Sequence, residues 1–186
     1  MKKLFLFSFS LLLSSGLFSQ SQLFNNNVSL GYLAHMGIQP GIKIGSDFTL
    51  KSFNSEGGYK GLFLSPQLAY FVNPEINNNF LLNVEFGYKT QKPGKTFYSA
   101  FSIGSGYKLQ SYIKSVNVDL GSGDLSQNRE LRHYFVPTIN YEFGMAFRKS
   151  TGWYSKLTYG HEYLGAEGTS MIIAIELGLK VYFSKN

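Results

Sequence analysis

Apolar residues recur at every second position along most of the chain. The cleanest run is the last one. Met171, Ile173, Ile175, Leu177, Leu179, Val181 and Phe183 alternate with Ile172, Ala174, Glu176, Gly178, Lys180 and Tyr182. A period of two puts one set on each face of a β-strand. The run is longer than a typical strand of about 5–6 residues. It matches the roughly 9–11 residues with which a tilted strand crosses a bilayer.

Seven earlier stretches repeat the pattern, so eight strands are predicted: 27–36, 39–53, 59–73, 80–91, 96–118, 132–148, 153–163 and 170–183. In the second, Ile42, Ile44, Phe48 and Leu50 oppose Lys43, Gly45, Asp47, Thr49 and Lys51. In the sixth, Phe135, Ile139, Tyr141 and Phe143 oppose Val136, Thr138, Asn140, Glu142, Gly144 and Arg148. Polar, Gly- and Asn-rich segments separate the strands at 54–58, 73–79, 92–95, 149–152 and 164–168, and the longest connection is expected at 121–130. Pro66 removes a ladder donor from the third strand and predicts an irregularity there. With no helical period and no linker, the expectation is one all-β domain, a closed antiparallel up-and-down transmembrane barrel of about eight strands over 21–186.

Residues 1–20 read differently. Lys2 and Lys3 precede an apolar run from Leu4 to Leu13, then small and polar residues. That is the layout of a removable export signal, with cleavage expected between 19 and 22, and the run is too short for a transmembrane helix. The chain has no cysteine, which excludes disulfides, thiolate metal sites, catalytic thiols and a lipid anchor on cysteine. The net charge of +6 falls to about +4 without Lys2 and Lys3, and the basic residues form no dense run, so no nucleic-acid partner is expected. Thirteen Tyr and seventeen Phe suit the aromatic girdles of a membrane barrel.

Alternation alone also fits a soluble lipocalin-type barrel with its apolar face inward. The polar face decides the expectation. It carries Gly45, Gly87, Gly104, Gly106, Gly144, Gly160 and Gly178, with Ala69, Ala100, Ala146 and Ala174. Small residues fit a narrow lumen, and glycine weakens a solvent-exposed strand without gain. The large side chains are therefore expected to face lipid. A weak repeat supports this: Lys43-Ile44-Gly45, Glu85-Phe86-Gly87, Glu142-Phe143-Gly144 and Glu176-Leu177-Gly178 share the form charge, apolar, glycine on alternate strands. The expected lumen set is Lys43, Asp47, Glu85, Lys89, Lys108, Glu142, Arg148, Lys156, Glu162, Glu176 and Lys180. Buried charges must pair, so the set reads as a salt-bridge plug, with a selective channel or a catalytic carboxylate cluster as alternatives.

These features resemble the small outer-membrane β-barrel proteins of Gram-negative bacteria, of the OmpX or OmpA transmembrane type. The most specific part is the strand through Leu177, Leu179, Val181 and Phe183, which looks like the aromatic-ended signal read by the barrel-assembly machinery. Here Ser184, Lys185 and Asn186 follow the aromatic residue, whereas the family pattern ends on it. The resemblance implies an outer-membrane, porin-like monomer that contacts outer-membrane lipids and lipopolysaccharide and carries no cofactor. Its role would be structural or interactive.

Some barrels of this class are lipid A acyl hydrolases or transferases, so an enzyme is the alternative. The hydrolase type carries a His and a Ser two residues apart on one strand. Here His161 lies between Tyr159 and Tyr163, His133 between Leu131 and Phe135, and His35 between Leu33 and Gly37. None offers a hydroxyl nucleophile beside a base at that spacing. Three scattered histidines give no metal set. Neither a catalytic nor a metal-binding residue is expected.

Overall fold

The computed structural model describes residues 26–36, 39–55, 58–73, 76–92, 95–118, 125–148, 151–164 and 168–183. The expected export signal and residues 184–186 lie outside them. Eight antiparallel strands follow one another: β1 Asn27–His35, β2 Gln39–Ser55, β3 Gly58–Asn73, β4 Asn77–Gln91, β5 Phe97–Val118, β6 Leu125–Arg148, β7 Thr151–Tyr163 and β8 Thr169–Tyr182. Each pairs with the next in sequence, and β1 closes the ring on β8 from Asn27↔Tyr182 to His35↔Ala174. Closure leaves no strand edge within the ring, as a barrel in hydrocarbon requires.

The outward face is apolar on every strand. Leu30, Ile44, Leu68, Phe86, Ile103, Ile139, Leu157 and Leu177 are all exposed. The neighbours Glu176 and Leu177 show the inversion: the glutamate is 1% exposed and the leucine 56%. This is the reverse of a soluble lipocalin-type barrel, and an apolar belt this extensive is a lipid-facing surface. Stacked rings border it where β5, β6 and β7 meet, with Phe97 and Phe143 5.5 Å apart and Phe143 edge-on to Trp153 at 6.0 Å.

The structure corrects three sequence expectations. β4 begins at Asn77, so the expected turn at Asn77 to Asn79 belongs to the strand. Asn77 and Asn79 point inward, and Asn79 Nδ2 donates to Asn77 Oδ1 at 2.7 Å and to the Phe71 carbonyl. β6 begins at Leu125, so 125–130 of the connection expected at 121–130 is strand, and 121–124 lies outside the described residues. The β2–β3 ladder is interrupted opposite Pro66, as expected of a residue without an N–H: its rungs stop at Gly45↔Gln67 and resume in the same register at Phe48↔Leu64. A separate register shift lies between Thr49 and Lys51 of β2.

That shift also turns Lys51 away from the lumen. Lys51 is opposite Leu62 and is exposed, contrary to strict alternation along the strand. A bulge inserts one residue and reverses the facing of those beyond it. Two more register shifts lie between Ile113 and Ser115 and between Ala146 and Arg148.

β5 and β6 outgrow their neighbours. β4 pairs with β5 only as far as Tyr112, and β7 pairs with β6 only from Phe135 onward. Beyond those points the two strands pair with each other to Val118↔Leu125. A two-stranded ribbon therefore rises from one mouth of the barrel, on the order of 20 Å at about 3.4 Å per residue.

Candidate functional site: the lumen charge network

The inward face follows from the period of two: on β4, and on β2 up to its register shift, even-numbered positions point out and odd ones point in, so the charges and glycines of these strands share one interior. Ten ionisable side chains of the expected set are buried there: Lys43, Asp47, Glu85, Lys89, Lys108, Glu142, Lys156, Glu162, Glu176 and Lys180. The Arg148 side chain lies outside the described residues; its backbone pairs with Thr151 after the last register shift.

Every one of the ten is ion-paired to another of the ten, and the two members of each ion pair come from strands that share no ladder. At the end where β1 starts, Asp47 Oδ2 accepts from Lys89 and Lys180, both at 2.9 Å, and from Asn27 Nδ2 at 3.1 Å. Lys180 also donates to Glu142 at 2.5 Å, and the Tyr98 hydroxyl donates to the same carboxylate oxygen at 2.9 Å. Farther along, Lys156 holds both oxygens of Glu85 at 2.8 and 2.7 Å, and Ser102 Oγ donates to Glu85 at 2.8 Å. Lys43 pairs with Glu176, which also accepts from the Tyr154 hydroxyl. Nearest the ribbon, Lys108 pairs with Glu162, and His35 Nε2 lies 3.7 Å from the same carboxylate.

Aromatic rings fill the space between these pairs. Phe63 sits opposite Gly87, Tyr98 opposite Gly144, and Tyr154 opposite Gly178. A Cβ on Gly87 would lie 2.5 Å from the Phe63 ring, and one on Gly178 2.6 Å from that of Tyr154. The glycine of each Glu-x-Gly repeat is thus the seat of a ring from the preceding strand. Those rings face lysines: Lys89 Nζ lies 5.2 Å from the Phe63 centroid and 5.1 Å from Tyr98, and Lys180 Nζ lies 4.8 Å from Tyr154. Cation–π attraction of this kind strengthens where water is excluded. Sequence reasoning assigned aromatics to the lipid face and missed Tyr98 and Tyr154; the recurring Glu-x-Gly on the next strand was the available signal.

Toward the ribbon the lumen becomes apolar, with Leu33, Ala69, Phe71 and Ala174 packed together against Leu81. The His35 ring stacks on Phe71 at 4.4 Å. A cavity of about 30 Å3 lies here, bordered by Phe71, Asn83, Lys108 and Val136. At roughly 10–15 Å3 per water it has room for about two or three waters and is too small for an organic ligand.

The histidines divide between faces. His133 faces out and hydrogen-bonds the Tyr107 hydroxyl; His161 lies 3.2 Å from the Tyr159 hydroxyl on the outer face of β7. Inside, Glu162 stands between His35 and Ser170, whose Oγ donates to the carboxylate at 3.3 Å. A nucleophile must touch its base, with the acid behind that base. Here the acid occupies the middle place, and Lys108 already neutralises it. Among the described residues no group of three or more His, Asp or Glu could hold a metal ion.

No family model matches the chain, and no curated protein sequence does so. Solved structures are similar to it. The outer membrane enzyme PagL superposes with a TM-score of 0.55 at 15% identity, covering 84% of this chain and 99% of that one. Neisserial surface protein A (NspA) superposes with a TM-score of 0.52 at 9% identity, covering 86% and 97%. At these identities the likeness is one of fold: an eight-stranded antiparallel up-and-down barrel of the outer-membrane, transmembrane type.

Proposed function

We propose that this chain is an integral outer-membrane barrel, exported through a cleaved signal, with a closed lumen and a structural or interactive role. One observation carries the closed lumen: five lysines and five carboxylates fill the interior in equal number, each ion-paired across it. Five matched pairs leave no net charge to attract ions into the lumen, and the rings on Gly87, Gly144 and Gly178 occupy the remaining width. The mouth where β1 starts and β8 stops is the periplasmic one, and the β5–β6 ribbon stands on the outer side. The barrel works as a monomer, surrounded by outer-membrane lipid and lipopolysaccharide, after insertion by the assembly machinery through the β8 strand that ends at Phe183.

The ribbon is the element that reaches a partner beyond the membrane, because the other three connections on its side join strands within a few residues. Planar-bilayer recording tests the closed lumen. The folded chain should give no stable conductance steps, and steady single-channel openings would end this reading. Heat-modifiable gel mobility in membrane fractions checks the barrel and its location in the same preparation.

A further inference from the structure

Charge outside the lumen is unevenly placed. At the end where β1 starts, Lys51, Lys60, Lys92 and Lys95 are exposed, and none is ion-paired among the described residues. The sequence adds Arg148 and Lys149 at the same end and a single acid, Glu56. The ribbon end is the opposite. Lys114, Arg129 and Arg132 lie there beside Glu130, with Glu75, Asp119, Asp124 and Glu167 in the connections.

The exposed lysines form an arc. Phe53 is opposite Lys60, and Lys51, two residues before Phe53, is a diagonal neighbour of Lys60 on the same outward face. Lys60 is in turn opposite Thr90, and Lys92 is the next outward position after it. Lys95 follows in the turn, where its N–H donates to the Lys92 carbonyl at 3.2 Å. The β2 register shift is what brings Lys51 into the arc; without it the side chain would enter the lumen. Lys51 Nζ lies 5.1 Å from the Phe53 ring, and the arc runs directly into the apolar belt at Leu62, Tyr88 and Phe97.

We infer that this arc binds the anionic headgroups of phospholipids in the leaflet that meets this end of the barrel. Two features favour a lipid headgroup over a soluble anion. The cations sit at the margin of the lipid-facing belt, at headgroup depth, with aliphatic stems able to lie along it. They also spread over three adjacent strands, as a row of headgroups does, with no pocket to enclose one ligand. The inference rests on the membrane-spanning reading of the barrel, but on neither its closed lumen nor its cellular location.

The test is a titration of the full chain, folded in detergent, with phosphatidylglycerol or phosphatidylcholine, counting bound lipid by native mass spectrometry. Each lysine near an anionic surface contributes about fivefold in binding. Phosphatidylglycerol should therefore bind at least about tenfold more tightly than phosphatidylcholine at low salt, and the preference should fade as salt screens it. The variant Lys51→Gln, Lys60→Gln, Lys92→Gln should lose that preference. A control with the same charge loss at the ribbon end, Lys114→Gln, Arg129→Gln, Arg132→Gln, should keep it. Equal binding of the two lipids, an unchanged triple variant, or equal loss in the control overturns the inference. So does tighter arc-dependent binding of soluble polyglutamate than of phosphatidylglycerol. Heat-modifiable mobility of every variant separates these outcomes from failure of the barrel reading, in which no folded band forms.

Discussion

Lys156 of β7 holds both carboxylate oxygens of Glu85 of β4, at 2.8 and 2.7 Å, across the lumen from one another. Directly beside Lys156 in the ladders stand Glu142 and Glu176, yet these pair with Lys180 and Lys43. The shortest path along the sheet is thus not the one taken. A long flexible stem lets each lysine leave its own wall and tie it to another.

Removing one member of that pair leaves the other buried and uncompensated. Glu85→Gln and Lys156→Met should each destabilise the barrel by about 3–5 kcal/mol, and the double variant should recover much of the loss. Urea unfolding in lipid vesicles, read as a double-mutant cycle, measures the coupling. Strict additivity of the two losses would contradict the pairing.

The glycine seats make a graded prediction. A Cβ on Gly144 meets the Tyr98 ring and hydroxyl and lies 2.7 Å from the Trp153 carbonyl, which is backbone and cannot yield. On Gly45 the nearest atoms are Ser29 Oγ at 3.0 Å and Gln67 Cγ at 3.2 Å, side-chain atoms that can shift by a few tenths of an ångström. Gly144→Ala should cost about 1–3 kcal/mol and Gly45→Ala less than about 1 kcal/mol in the same unfolding assay.

Lipid contact is tested by placing one charge at two heights. Leu177 and Leu131 are comparably exposed, at 56% and 61%, the first on the body of β8 and the second at the foot of the ribbon, on β6 beyond its last rung to β7. Leu177→Arg should destabilise the inserted barrel by about 2–4 kcal/mol, while Leu131→Arg, clear of the hydrocarbon, should change it by about 0–1 kcal/mol. Equal costs would place both residues in the same environment.

Surface labelling addresses the ribbon separately. Cysteine introduced at Arg129 should react with a membrane-impermeant maleimide on intact cells, and cysteine at Ser102, buried beside Glu85, should not. The parent chain has no cysteine, so the signal has no background. Reaction at 129 only after the outer membrane is opened would reverse the orientation proposed for the barrel.

Strand number, strand order and the facing of nearly every residue were legible in the sequence, because side-chain direction along a strand is a local property with a fixed period. The run from Met171 to Phe183 needed no partner to be read. The exceptions were residues beyond a register shift. Lys51 kept its place in the alternation along the sequence, and one extra residue, Leu50, between the rungs Thr49↔Phe63 and Lys51↔Leu62 turned it out to the rim. The start of β6 at Leu125 was hidden for a related reason. In a ribbon with no buried side, polar and apolar residues do not segregate, so 125–130 reads as a loop although its backbone is fully paired with β5.

The sequence by itself determined which side chains share a face along each unbroken stretch of strand, since the gathering of charge and glycine on one face is written in the period of two. Only the closed ring decided which lysine meets which carboxylate and which glycine carries a ring. Those contacts join residues as far apart as Asp47 and Lys180, and their pairing depends on the stagger with which β1 meets β8. That stagger is a property of the whole circuit of strands, and no single stretch of sequence contains it.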